Sequence, residues 1–330
     1  MPARLIDSLA TTDALAEVFS DQSVLQAMLD FEIALARAEA SVGVIPKSAA
    51  DGIAAAVKAD GFDVASLVRE TLRSATPGVP LVKALTERMR AKNPEAAGFV
   101  HWGATSQDVA DTALILLLKR AQPMISSDLA RLETALRKLS EQHKGTVMLG
   151  RTLMQAAPPV TFGLKAAGWL GSISRGSKRL DAAFGDTLIV QFGGATGTLA
   201  SLGEKGPAVA NALAKELGLG CPDAPWHTHR DRLATLVSTF GVVTGSLGKM
   251  ARDISMLMQN EIAEVAEPIG QGRGGSSTMP HKHNPVGCTV TLAAAHRVPG
   301  DCPLWAACRG DWEGAAADRH QAAVEVRDRG

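Results

Sequence analysis

Residues 270–285 read GQGRGGSSTMPHKHNP and gather Ser276, Ser277, Met279, His281, Lys282, His283 and Asn284 in a glycine-rich run. Hydroxyl, imidazole, ammonium and amide groups at this density carry protons and donate to anions. The flanking glycines supply the hinge that a closing active-site lid needs. Gly270, Gly272 and Gly275 also satisfy GxGxxG. The dinucleotide fingerprint requires a strand before it and a helix after it, however, whereas a long helical pattern precedes this run and Pro280 and Pro285 follow. No nucleotide site is expected. By itself such a stretch reads first as a disordered polar loop, but it does not stand by itself.

Three further clusters accompany it. His101 to Asp108 (HWGATSQD) lies just before a long helical pattern, where Thr105, Ser106 and the helix N-terminus offer hydroxyls and free N–H groups to an anion. Ordinary capping by Ser106 or Asp108 explains two of these residues and leaves His101 unexplained. Gly150 to Gln155 (GRTLMQ) presents Thr152 and Gln155 beside Arg151, which can grip a carboxylate through two parallel bonds. The plain alternative for Arg151 is a surface ion pair. Trp226 to Arg232 (WHTHRDR) opens another long helix with His227, His229 and Arg230. The pairs His227/His229 and His281/His283 invite a metal, yet no carboxylate or thiol stands at helical ligand spacing and HExxH is absent, so no metal is expected.

Helices must position these clusters. Thr12–Val42 and Pro46–Arg90 read as shorter helices joined by Gly and Pro turns, a small N-terminal helical domain ending near residue 100. Asp108 is a plausible N-cap for a helix running to His143, with Gly145 as its stop and Pro123 expected to kink or break it. Val160–Phe184 is a third long helix, whose Gly163, Gly168, Gly171 and Gly176 permit close helix approach. From His229 to Glu267 apolar residues recur at steps of three and four. About 39 helical residues would span roughly 58 Å, a length that requires a bundle. Thr187–Phe192, closed by Gly193 and Gly194, is the one strand candidate, and strands do not alternate with helices. The expected fold class is therefore all-α, a long central helical bundle. Its expected division is 1–100, 101–298 and a short atypical tail, 299–330. In that tail Pro299, Gly300, Pro303, Gly310 and Gly314 interrupt the periodicity before an Ala- and charge-rich helix at Gly314–Arg327.

Composition narrows the function. The 330 residues carry 34 Lys and Arg against 34 Asp and Glu, so nothing marks a nucleic-acid or anionic-membrane binder. The longest apolar run, Leu114–Leu118, meets Lys119 and Arg120, far short of the 18 or so residues that a membrane span takes. Asp7, Asp13, Glu17, Asp21 and Asp30 occupy the first 30 positions without a basic-then-apolar leader, so a cytoplasmic location is expected. Cys221, Cys288, Cys302 and Cys308 form no CxxC pair and read as free thiols. With no Tyr, eight Phe and five Trp, surfaces for stacking bases are scarce.

The run GGSSTMPHKHNP resembles the GSSxMPxKxN signature of the fumarase, aspartase and argininosuccinate lyase superfamily. HWGATSQD and GRTLMQ resemble its other two motif regions in the same order and spacing. Within it, HWGATSQDVADTA, LIVQFGGATGTLASL, PWHTHRDR and GGSSTMPHKHNPV are most similar to the cycloisomerases of carboxylated muconates, which serve the protocatechuate branch of aromatic breakdown. The resemblance covers residues 1 to about 298. It implies a three-domain helical fold with a central bundle, a homotetramer whose active sites draw motifs from three subunits, and no cofactor.

By motif match Ser276 is the superfamily's proton-transfer residue, and an ordinary serine needs Lys282 and loop N–H groups to stabilise its alkoxide. His101 and His227 are the alternative proton carriers. A small tricarboxylate substrate makes Arg151, Arg230, Lys282, Asn284, Thr105 and Ser106 natural binders, with Thr152, Gln155, Ser277 and Met279 completing the motif-borne site. One departure is Thr152-Leu153, where lyases of the superfamily usually read Thr-His, a histidine that serves several of them as acid. Lactonisation tolerates its loss, because an ionised carboxylate attacks without a general base and leaves without a general acid. A related lyase, such as an adenylosuccinate lyase or a sulfomuconate cycloisomerase, is the second reading, with Leu153 weighing against the former. A non-catalytic helical assembly protein is the third.

Overall fold

The structure, a computed structural model, describes residues 9, 11–57, 61–268, 274, 275, 278, 279 and 282–307, with side chains up to residue 298. Ser276, Ser277, His281 and the expected helix at 314–327 lie outside the described residues. In chain order the elements are α1 (Asp13–Val18), α2 (Asp21–Ser41), α3 (Lys47–Ala56), α4 (Val64–Ser74), α5 (Gly78–Lys92), α6 (Pro94–Ala97) and α7 (Ser106–Gln142). Then come β1 (Val147–Thr152), β2 (Gln155–Thr161), α8 (Phe162–Thr187), α9 (Gly206–Leu217), α10 (Asp231–Leu257) and α11 (Val286–Ala307). The all-α expectation holds, with one small hairpin added.

Residues 11–123 and 186–230 form one compact unit. Its helices begin on side chains that satisfy the free N–H groups of a first turn: Thr12 accepts from Leu15, Ser20 from Ser23, Asp63 from Ser66 and Asn93 from Ala96. Helix α2 buries Leu25, Met28, Leu29, Phe31 and Leu35 together with Ala27, Ala34 and Ala38 and packs on α3 and α9. The same helix buries two carboxyls, Glu32 and Glu39. The expected strand at Thr187–Phe192 is instead a single extended segment with one bridge, Ile189 to Gly220. Gly220 exchanges backbone bonds with Leu188 and Val190 of this segment, and at Gln191 a side chain takes over: Thr112 Oγ1 donates to the Gln191 carbonyl at 2.9 Å and accepts from the Gln191 N–H at 3.0 Å.

The described residues of 124–185 and 231–307 form the second unit. The division falls inside α7 at Pro123, so the expected border near residue 100 follows the sequence motifs rather than the compact units. Helix α7 starts at Ser106, before Asp108, and continues through Pro123. Strands β1 and β2 pair antiparallel through Leu153 and Met154, whose φ values of 47° and 65° are what a two-residue hairpin demands at both central positions. Ala156, Ala157, Pro158 and Pro159 hid this hairpin from a propensity reading, but prolines are tolerated on an edge strand. Gly150 is required beside the bulge of β1, because a Cβ there would sit 2.2 Å from the Pro158 carbonyl oxygen.

Helix α10 has 27 residues rather than the expected 39 or so, and spans about 40 Å. Gln259, Asn260 and Glu261 break the apolar stripe, and the chain turns there, with the Glu264 N–H donating to the Leu257 carbonyl at 3.0 Å and Ala263 at φ 49°. The turn frees two carboxylates: Glu264 meets Arg151, and Glu267 caps α11 by accepting from the N–H groups of Gly287 and Cys288 at 3.0 and 2.8 Å. Helix α11 then runs through Pro299 and Pro303 to Ala307, past the expected border at 298. By length and composition α10 passes as a membrane span, at a mean hydropathy of 1.2 over 18 residues. It nevertheless packs within the protein, against α11 and, edge to face through Phe240, on Phe184 of α8 at 5.8 Å. Cys221 and Cys288 are free thiols, as expected.

Candidate active site

In the first unit the site is organised by Asp108. Placed on the first turn of α7 and fully buried, it accepts from Thr105 N at 3.0 Å, Gly193 N at 3.1 Å, Gly194 N at 2.9 Å and Gln191 Nε2 at 2.9 Å. Asp108 is therefore no N-cap: it reaches back to satisfy the N–H of Thr105, the residue that precedes the helix. Burial pushes its carboxyl up, and the hydrogen bonds from Gln191, Thr105, Gly194 and Gly193 only partly offset this. Through Gln191 the network extends to the third cluster. The Gln191 Oε1 accepts the Trp226 N–H at 2.6 Å, its Nε2 lies 3.3 Å from His227 Nδ1, and the Trp226 indole donates to the Val190 carbonyl at 3.0 Å.

His101 stands at the left-handed φ of 59° and places Nδ1 2.7 Å from Oε1 of Glu32. Burial alone would lower the imidazole, but the charge and hydrogen bond of Glu32, with the charge of Asp108, raise it on balance. Arg230 holds Asp111 with two bonds of 2.6 and 2.8 Å and lies over the Trp226 ring at 5.2 Å. The first unit thus brings together His101, Thr105, Ser106, His227 and Arg230.

The second unit carries Arg151, Thr152, Gln155, Met279, Lys282 and Asn284. Arg151 on β1 grips Glu264 through bonds of 2.7 and 3.2 Å. The hydrogen bond with Glu264 holds the guanidinium up, and that with Arg151 holds the Glu264 carboxyl below its ordinary range. Both arginines expected to bind substrate carboxylates therefore already hold carboxylates of this chain. Each pair occupies two of five guanidinium donors. Thr152 and Gln155 face one another as the last pair before the hairpin tip, both exposed. Asn284 closes the base of the glycine run: its N–H donates to the Gly274 carbonyl at 2.9 Å and its Nδ2 to Gly275 at 3.4 Å. Met279 and Lys282 are exposed, and the Lys282 N–H donates to the Met279 carbonyl. A cavity of about 710 Å³ beside Arg151 is also lined by Lys165 and Lys249.

Four partners escaped the sequence reading: Glu32, Gln191, Asp111 and Glu264. Two had a signal. Glu32 interrupts the apolar face of DFEIALA, and Gln191 interrupts the apolar run LIVQF, each a polar group where burial is expected. Asp111 and Glu264 lie in stretches where a charge is ordinary. Among the described residues, no three His, Cys, Asp or Glu side chains converge as a metal site would require.

The buried Asp108 hub and the two tethered histidines lie in one unit, and the polar glycine run in the other. The profile of the Lyase family matches residues 8–300, and the chain belongs to that family. It is 50% identical over 295 residues to a 3-carboxy-cis,cis-muconate cycloisomerase of Bradyrhizobium diazoefficiens, covering 89% of this chain and 65% of that protein. It is 43% identical over 288 residues to a nitrosuccinate lyase of Streptomyces davaonensis, covering 85% and 60%. The crystal structure of the 3-carboxy-cis,cis-muconate lactonizing enzyme from Pseudomonas putida superposes with a TM-score of 0.86 at 48% identity, over 91% of this chain and 67% of that one. The chain thus spans about 65% of the length of the cycloisomerase it matches.

Proposed function

We propose that this protein is a cycloisomerase that closes 3-carboxy-cis,cis-muconate to 4-carboxymuconolactone without a cofactor. The observation that carries the reading is the 50% identity over 295 residues to a protein of that name. The chemistry of the site agrees with it. One carboxylate of the substrate, ionised at neutral pH, attacks the double bond and forms the new C–O bond. The π pair of the attacked double bond moves toward the neighbouring carboxylate, and a single proton closes the reaction at the carbon beside it. No oxidant or second substrate enters, so donors that stabilise the developing negative charge and one proton carrier suffice. Ser276, His101 and His227 are the candidate carriers, with Lys282 as the neighbouring cation. Thr105, Ser106, Arg151, Thr152, Gln155, Arg230, Ser277, Met279 and Asn284 are the proposed binders. Leu153 supports lactonisation over elimination: the hairpin tip offers no acid where an eliminating lyase of this superfamily would carry one.

The reading includes self-association, as the homotetramer that the family resemblance implies, in a cytoplasmic setting. Leu164 on α8 and Val242 on α10, 65% and 52% exposed, line the cavity beside Arg151 and present apolar surface that a helical bundle would cover. The test is the ultraviolet absorbance of 3-carboxy-cis,cis-muconate mixed with purified protein in chelator and without nucleotide. Rapid bleaching of the conjugated diene is expected. An unchanged spectrum from a folded, associated protein would overturn the proposal.

A further inference from the structure

His101 and His227 face opposite chemical partners, and the difference fixes where each ring carries its hydrogen. A carboxylate only accepts, so the His101 Nδ1 that lies 2.7 Å from Glu32 is an N–H. Its other nitrogen, Nε2, is the one that gains and loses a proton. The surroundings favour the charged ring, with Glu32 on α2 and Asp108 on α7 both acting on it. His227 is the reverse case. The orientation of the Gln191 amide is set by its neighbours: its oxygen receives the Trp226 N–H at 2.6 Å and its nitrogen faces the Asp108 carboxylate at 2.9 Å. Turned over, it would set N–H against N–H and oxygen against carboxylate. The group 3.3 Å from His227 Nδ1 is therefore a donor, Nδ1 accepts, and the ring hydrogen sits on Nε2.

We propose that the two histidines divide the reaction, His101 carrying the proton through Nε2 and His227 presenting a fixed Nε2–H to the negative charge that develops on the substrate, with Glu32 and Gln191 as positioning residues. The assignment of roles rests on the cycloisomerase reading, whereas the two ring tautomers do not. In the closing step the proton leaves His101 Nε2 for the carbon beside the carboxylate, the electron pair of the broken N–H bond stays on the ring, and water returns the proton. His227 makes and breaks no bond. Its N–H is already aimed, so no reorientation accompanies the build-up of charge.

Nitrogen-15 spectra of histidine-labelled wild-type protein at about pH 8, above the titration of a free imidazole, test the tautomers directly. The His101→Gln and His227→Gln spectra assign the signals. The expected result is Nε2–H for His227 and Nδ1–H for neutral His101, and the opposite tautomer on either ring overturns the proposal. In Gln191→Met the donor is gone, and His227 is expected to become a mixture of tautomers. Turnover tests the roles. His227→Leu is expected to lose about 10²–10³-fold, and His227→Gln, whose amide restores an N–H donor, to recover most of it. His101→Gln cannot shuttle a proton and is expected to lose about 10²–10⁴-fold. A His227→Gln protein as slow as His227→Leu, or an active His101→Gln, overturns the division. If wild-type protein leaves the muconate unbleached, the proposed reaction has failed, and the nitrogen spectra alone then uphold or overturn the ring assignments.

Discussion

Buried carboxyls mark where this sequence departs from simple helix packing. Glu39 is fully buried, and among the described residues neither of its oxygens finds a hydrogen-bond partner. Burial, with the charge of Glu32 seven residues earlier, pushes its carboxyl up to about 9 from 4.5. Between those values the folded protein holds a proton that the unfolded chain has released. Raising the pH through that window therefore weakens the fold, by at most about 1.4 kcal/mol per pH unit from this group. Glu39→Gln is expected to be more stable than wild type at pH 8, with the gap closing toward pH 5. Denaturant unfolding at both pH values checks it, and an equal gap at both would contradict the buried-acid assignment. The site was partly legible at this scale. His101, Arg151, His227 and Arg230 announced themselves by type and setting, but their partners Glu32, Glu264, Gln191 and Asp111 lie 69, 113, 36 and 119 residues away in sequence. Only the fold pairs them.

Helices were the readable elements, because apolar spacing of three and four reports a buried face whatever it packs against. The reading failed where local chemistry outweighs periodicity. Gln259 to Glu261 ended α10 although Ile262 and Val265 kept its rhythm, and the Thr187–Phe192 run finds only a one-residue bridge to Gly220, with Thr112 of α7 taking the Gln191 backbone. The β1–β2 hairpin, with alanines and prolines in β2, gave no strand signal, and its tip holds two large apolar residues at positive φ, 96% and 74% exposed. Such conformations cost roughly 1–2 kcal/mol each for non-glycine residues. Replacing Leu153-Met154 with Asn-Gly, the pair that this turn prefers, is expected to raise the unfolding midpoint. A drop in the midpoint would mean that the tip is held by contacts rather than strained.

At the scale of the whole molecule, the two sets of candidate residues belong to different compact units, His101, Thr105, Ser106, His227 and Arg230 to one and Arg151, Thr152, Gln155, Met279, Lys282 and Asn284 to the other. Under the proposed self-association, in which one site draws on several subunits, assembly is part of catalysis. Val242→Glu places a charge on the exposed apolar stripe of α10. It is expected to shift the protein to smaller species in gel filtration and to lower turnover in proportion, while helical content stays unchanged. Full turnover from the smaller species would separate catalysis from association.

The most direct measurement of the central claim is the product formed from 3-carboxy-cis,cis-muconate in deuterated water with chelator present, examined by proton and carbon NMR. The account predicts a lactone with one new C–O bond and a single deuterium at the carbon beside a carboxylate, formed by the protein alone. Recovery of unchanged substrate, or a requirement for added metal or nucleotide, would contradict it.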